Sequence, residues 1–189
     1  RPSALHITLR LREGLPNLRT RKGAQIVKHA IQGAQKCGLR IVHFAILSNH
    51  IHLIVEADRC SILYSSMKSF CSRMGIRLRR WAKADHVKSL DQRGLGLFRG
   101  RYHIERLKTP QQMKQALKYV LLNPARHFKK SAYIDAFTSA ASFGSWKTLL
   151  GRSLPVPKSG PTLTKRLKEF LSPPGLWLTE SGWMRARQL

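Results

Sequence analysis

Leu39-Arg40-Ile41-Val42-His43-Phe44-Ala45-Ile46-Leu47-Ser48-Asn49-His50-Ile51-His52-Leu53-Ile54-Val55-Glu56-Ala57 is the stretch that decides the fold. Residues 39–48 and 50–57 read as two strands parted by a short polar corner at Ser48-Asn49, which predicts an antiparallel hairpin. Upstream, residues 5–11 alternate apolar Leu5, Ile7, Leu9 and Leu11 with polar His6, Thr8 and Arg10, the pattern of a half-buried strand. After Gly14-Leu15-Pro16-Asn17 the spacing changes: Ile26, Val27, Ala30, Ile31 and Ala34 mark one face of a helix that stops near Gly38.

Downstream, Met67, Phe70, Met74, Leu78 and Trp81 follow helical spacing within residues 61–83, while Lys68, Arg73, Arg77, Arg80 and Lys83 lie mostly elsewhere on the same helix. Residues 84–96 are polar with two glycines and predict an exposed loop. Residues 97–107 alternate over their second half and predict a fourth strand. Thr109-Pro110-Gln111-Gln112 offers an N-cap, a proline at the first helical position and a glutamine three residues after the cap. The third helix that starts there has the apolar stripe Met113, Ala116, Leu117, Val120 and Leu121, and should end or bend near Pro124.

The resulting order, strand-helix-strand-strand-helix-strand-helix, predicts an α+β fold: a ferredoxin-like four-stranded antiparallel sheet with its helices packed on one face. Residues 1–148 form the expected domain. Residues 149–189, broken by Pro155, Pro157, Pro161, Pro173 and Pro174, are expected to form a loosely organised basic appendage with one helix around Thr164–Leu171.

Charge narrows the partners. The 189 residues hold 35 Lys plus Arg against 9 Asp plus Glu, a formal charge of +26 and a pI near 11.4. With 42% hydrophobic residues the chain can still build a core. Such a charge repels itself unless a polyanion offsets it, and nucleic acid is the expected partner ahead of an anionic membrane surface. No apolar run reaches membrane-spanning length and no secretory leader is legible, so a cytoplasmic location is expected. Cys37, Cys60 and Cys71 are widely spaced and contain no paired motif, which argues against a disulfide framework or a cysteine zinc site.

Side chains two apart on a strand share a face, so His50 and His52 stand together while Ile51, Leu53 and Val55 face the opposite way. That is the geometry of a two-imidazole metal grip, and equally of a structural histidine pair on a solvated strand. On the third helix Tyr119 and Asn123 lie four apart, about 40° around the axis, and present a hydroxyl and an amide side by side. A surface tyrosine followed by a capping asparagine fits the same spacing. Trp146, Trp177 and Trp183 suit either stacking on bases or a satellite core.

Ser48-Asn49-His50-Ile51-His52-Leu53, then Phe98-Arg99-Gly100-Arg101-Tyr102, then Tyr119-Val120-Leu121-Leu122-Asn123-Pro124-Ala125-Arg126, resemble in order and spacing the tyrosine transposases of the IS200-like superfamily, within the HUH endonuclease group, most closely its REP-associated branch. The resemblance spans roughly residues 5–146, and residues 149–189 lie outside it. It implies a bacterial, nucleoid-associated enzyme that cuts and rejoins single-stranded DNA next to hairpins. Tyr119 would be the nucleophile, and His50 and His52 metal ligands, with Asn123 where the superfamily places its third, helix-borne ligand. The link formed would be a 5′-phosphotyrosine.

An ordinary phenol has a pKa near 10 and is about one part in a thousand ionised at neutral pH, a handicap of roughly 4 kcal/mol, so the chemistry calls for a divalent ion, Mg²⁺ or Mn²⁺, with Mn²⁺ more at ease beside histidine. Phosphate contacts are expected from Arg10, Arg12, Arg19, Arg21 and Lys22, from Arg73, Arg77 and Arg80, and from Arg99 and Arg101. A monomer is favoured over a homodimer. Two other outcomes fit the same scaffold: a catalytically inactive hairpin-DNA-binding protein, and a nuclease that activates water.

Overall fold

The computed structural model describes residues 2–84, 96–127, 134–154 and 170–186. Their order is β1 (Ser3–Arg10), α1 (Arg21–Lys36), β2 (Arg40–Ile46), β3 (His50–Ala57), α2 (Cys60–Ala84), β4 (His103–Leu107) and α3 (Pro110–His127). The strands make one antiparallel sheet in the order β2-β3-β1-β4, the ferredoxin-like order of an α+β fold. The hairpin reverses at Ser48-Asn49, where the Leu47 N–H donates to the His50 carbonyl at 2.9 Å. Residues 97–107 are not one strand: only His103–Leu107 joins the ladder, and Phe98 makes an isolated bridge to Leu11. Gly100, at φ 79°, turns the chain between them.

Local chemistry starts the helices. Thr20 Oγ1 accepts from the Gly23 N–H at 3.0 Å and opens α1. A side chain at Gly23 would come within 2.4 Å of the Leu18 carbonyl, so the first turn can close on the preceding loop only because residue 23 has none. At α3 the Gln112 N–H donates to Thr109 Oγ1 at 3.2 Å, while Gln112 Oε1 accepts from the N–H groups of Thr109 and Lys108. Pro124 removes one intrahelical donor without ending α3, which runs on to His127.

Two cores flank the sheet. Leu5, Ile7 and Leu9 of β1 and Ile51, Leu53 and Val55 of β3 pack under α1 and α2, against Val27, Ile31, Phe70, Met74 and Leu78. Ala4, Ala45, Leu47, Ile54 and Leu107 point the other way and meet the α3 stripe of Met113, Leu117, Val120 and Leu121. The expectation that all helices share one face is therefore corrected: α1 and α2 do, and α3 covers the other. The cause is a second apolar patch on the sheet that only another layer can bury. An irregularity between Ile41 and His43 switches the facing of β2, sending Phe44 and Ile46 to one core and Ala45 and Leu47 to the other.

The described part of the C-terminal segment is anchored rather than loose. The Ser172 N–H donates to the Ile41 carbonyl at 3.1 Å, and Gln35 bonds the Phe170 carbonyl and the Ser172 hydroxyl. Fully buried Glu56 accepts from Arg40 Nε at 2.7 Å, from the N–H groups of Gly175 and Leu176, and from the Thr179 hydroxyl. Trp183, 1% exposed, and buried Trp146 complete the α3 core; Trp177 is exposed beneath the Arg185 guanidinium. The polar loop expected over 84–96 and the helix expected over Thr164–Leu171 fall almost wholly outside the described residues. The three cysteines are free thiols, and burial pushes Cys71 up to about 11. Among the described residues no helix is long and apolar enough to cross a membrane.

Candidate active site

The polar site lies on the α3 side of the sheet. The register sets Thr8 opposite His52, Arg10 opposite His50, and His6 between Ile54 and Glu105, so these groups share one face. Residues two apart on a strand are separated by roughly 6.6 Å, yet the rings of His50 and His52 lean together to 5.0 Å between centroids, nearly perpendicular at 89°. Asn49 Oδ1 accepts from His50 Nδ1–H at 2.9 Å, which leaves the lone pair of that ring on Nε2. His52 Nδ1 lies 3.0 Å from Thr8 Oγ1 and 3.2 Å from His6 Nε2. His6 Nδ1 in turn faces Glu105 at 3.7 Å. Burial lowers the His6 pKa more than Glu105 raises it, so this ring is mostly neutral at neutral pH.

α3 crosses over these rings and brings in the phenol. Tyr119 is 38% exposed, with its ring centroid 5.0 Å from that of His52 and 5.7 Å from that of His6, edge-on to both. Asn123, one turn further on and 2% exposed, is within the helix; its buried Oδ1 makes no hydrogen bond among the described residues. Beside Tyr119 a cavity of about 570 Å³ runs between β4 and α3, lined by His6, His103, Glu105, Gln112 and Lys118 among others.

Among the described residues no three His, Cys, Asp or Glu side chains converge as a metal cluster. A cation here would rest on two imidazoles and the Asn123 amide oxygen, a mixed nitrogen and oxygen set suited to Mn²⁺ or Mg²⁺. The donor chemistry suits such an ion: Asn123 Oδ1 is buried, with no hydrogen-bond partner among the described residues, on the helix whose Tyr119 ring meets His52.

The structure divides the basic residues. Arg10 is exposed beside His50, and its carbonyl accepts from the Arg99 N–H at 2.8 Å, which brings exposed Arg99 and neighbouring Arg101 to that end of the site. Arg12 is exposed on the same stretch. Arg21 and Lys22 are exposed at the start of α1, with Lys22 over the Trp81 ring. Arg19 is bound in place: Asp135 takes both of its terminal nitrogens, the Ile46 carbonyl accepts from it, and its guanidinium lies over Phe137. Arg73, Arg77 and Arg80 belong to α2, behind the sheet from Tyr119, and Arg73 is further engaged by Ser69 and His29.

The motifs did not reveal His6, Thr8 or Glu105. The signal for His6 and Thr8 was the polar half of the alternation in residues 5–11, which marks the two as sharing a face but does not say which strand lies alongside.

No family model matches the chain, and no curated protein matches it. Among solved structures the chain matches, at distant identity, a REP-associated tyrosine transposase bound to a REP hairpin: 18% identity and a TM-score of 0.49, covering 66% of this chain and 68% of that one. It also matches a "putative transposase" from Deinococcus radiodurans, with 12% identity and a TM-score of 0.45, covering 70% of this chain and 94% of that one.

Proposed function

We propose that this protein is a metal-dependent endonuclease and strand transferase that acts on single-stranded DNA next to hairpins, with Tyr119 as nucleophile. The observation that carries this reading is the contact of the Tyr119 ring with His52, 5.0 Å between centroids, beside His50 on the same sheet face. These groups come from elements far apart in sequence, and a phenol held against an H-x-H pair is the arrangement that the transposase-like motifs call for. The net charge of +26 supports a nucleic-acid substrate.

In this reading Tyr119 Oη attacks the scissile phosphorus and loses its proton, the bond from phosphorus to the 3′ oxygen breaks, and that oxygen departs as a 3′-hydroxyl. The product is a 5′-phosphotyrosine link that the hydroxyl can reverse. His50 and His52, through Nε2, and Asn123, through Oδ1, would hold Mg²⁺ or Mn²⁺, which when bound supplies positive charge to the phosphate and the leaving oxygen. Arg10, with Arg99 and Arg101 beyond it, would hold neighbouring phosphates. α3 keeps the phenol in position as a side chain on a packed helix, partly open to solvent so that a strand can reach it. A single chain supplies every group, which supports a monomer.

The test is incubation with end-labelled hairpin oligonucleotides and Mn²⁺, followed by denaturing electrophoresis. A denaturation-resistant protein-DNA adduct that disappears in Tyr119→Phe supports the reading. Cutting that persists in Tyr119→Phe assigns a water-activating nuclease instead, and binding without cutting assigns an inactive hairpin-binding protein.

A further inference from the structure

We infer that Glu105 and His6 act in series as positioning residues that fix the tautomer of His52, with the proton on Nδ1 and the lone pair on Nε2. The inference rests on the proposed metal site for its purpose, and on the hydrogen bonds around His52 for its content.

Thr8 Oγ1 at 3.0 Å and His6 Nε2 at 3.2 Å both meet His52 Nδ1. The hydroxyl of Thr8 can donate or accept, so it stabilises either tautomer and selects neither. His6 can select, because a neutral imidazole has one donor nitrogen and one acceptor nitrogen. Its Nδ1 faces the Glu105 carboxylate at 3.7 Å, long for a direct hydrogen bond and close enough for the negative charge, or one bridging water, to favour a proton there. With that proton on Nδ1, His6 Nε2 is an acceptor, and the proton between the two rings must come from His52 Nδ1. His52 then carries its lone pair on Nε2. Asn49 produces the same result in His50 by accepting from Nδ1–H at 2.9 Å. Both imidazoles are thereby set to ligate through Nε2, one by a local amide and the other by a relay across three strands. A hydrogen-bond partner on the far nitrogen of a ligating imidazole fixes the orientation of the ring and raises its basicity.

The test is nitrogen-15 NMR of the histidine side chains in the full-length protein without metal, at about pH 8, compared with Glu105→Ala, Glu105→Asp and His6→Phe. Glu105 is half-exposed, so its replacement leaves the fold intact. The wild type should show His52 protonated on Nδ1 alone. Glu105→Ala and His6→Phe should give a mixture of tautomers, and Glu105→Asp should restore the single form. Mn²⁺ affinity, followed by paramagnetic broadening of the same resonances, should weaken about tenfold in His6→Phe, the lower end of what loss of such a partner costs. A wild-type His52 protonated on Nε2, or a tautomer unmoved by Glu105→Ala, overturns the relay. Should Mn²⁺ leave both histidines of the wild type unbroadened, the metal site under the proposed function fails, while the tautomer comparison still decides the relay.

Discussion

His43 gives the fold a measurable acid sensitivity. It sits in β2 on the α3 side, with Nδ1 3.1 Å from Ser139 Oγ and its ring edge-on to Phe143 at 5.7 Å. Burial holds its pKa down to about 4, against 6.5 for a free histidine. The depressed value means that the unfolded chain binds more protons between those limits. The contribution is therefore fully present above about 6.5 and is lost as the pH falls toward 4. From the two pKa values the loss is roughly 2 kcal/mol between about pH 7 and about pH 4.5, a window in which most carboxylates stay ionised. The perturbation is His43→Asn, which keeps a polar group for Ser139 and cannot titrate. Urea unfolding of both proteins should find the variant about 1 kcal/mol less stable near neutrality, the typical worth of a buried hydrogen bond. Near pH 4.5 the order should invert, because the other histidines titrate alike in both proteins and cancel. Stability curves that run parallel across the window would refute the assignment of a buried, neutral His43.

Three further outcomes follow from the site and its supports. His50→Ala or His52→Ala should reduce cleavage by at least about a hundredfold and leave affinity for a hairpin oligonucleotide within about threefold, because affinity rests on distributed charge; equal losses by gel shift and cleavage assay would contradict that division. Asn123→Leu should leave stability unchanged or raise it by about 1 kcal/mol, because it removes a buried acceptor that has no partner among the described residues, while weakening Mn²⁺ binding; clear destabilisation in a urea melt would show that the amide has a structural role. Glu56→Gln should cost about 3 kcal/mol, since Arg40 and two backbone N–H groups lose a buried carboxylate, and should open the C-terminal segment to limited proteolysis; an unaltered digestion pattern would deny Glu56 its anchoring role.

The sequence showed some of this plainly and hid the rest for physical reasons. The hairpin of residues 39–57 and the reciprocal cap at Thr109 and Gln112 depend on neighbours within a few residues, and both are present as read. The pairing of Tyr119 with Asn123 on one helix face needs only the helical repeat. The side of the sheet taken by α3 needs more. Ala45, Leu47 and Ile54 interrupt the polar alternation that a half-solvated sheet would show, a sign of burial on both faces, but the irregularity at residues 41–43 blurs it by switching which side chains face which core. The anchoring of residues 170–186 was hidden for another reason: prolines describe the backbone of that segment, whereas its hold on the sheet comes from Glu56 and Gln35, more than a hundred residues away. Arg19 looked like any other surface cation until its partner Asp135 was placed opposite it.

The position of α3 also decides whether there is a site at all. A helix packed beside α1 and α2 would set Tyr119 against the Leu5, Ile7 and Leu53 face, with the sheet between the phenol and His52 and a layer spacing of roughly 10 Å to cross. On the opposite face the same phenol meets His6 and His52 directly. The strand order matters equally, because β1 lies between β3 and β4 and so carries His6 and Thr8 to His52 on one side and His6 to Glu105 on the other. No fragment of the chain contains this arrangement. An H-x-H pair on an isolated hairpin would offer two rings with nothing to set their tautomers and no phenol within reach; the packed second face supplies the phenol, and the central strand supplies the relay.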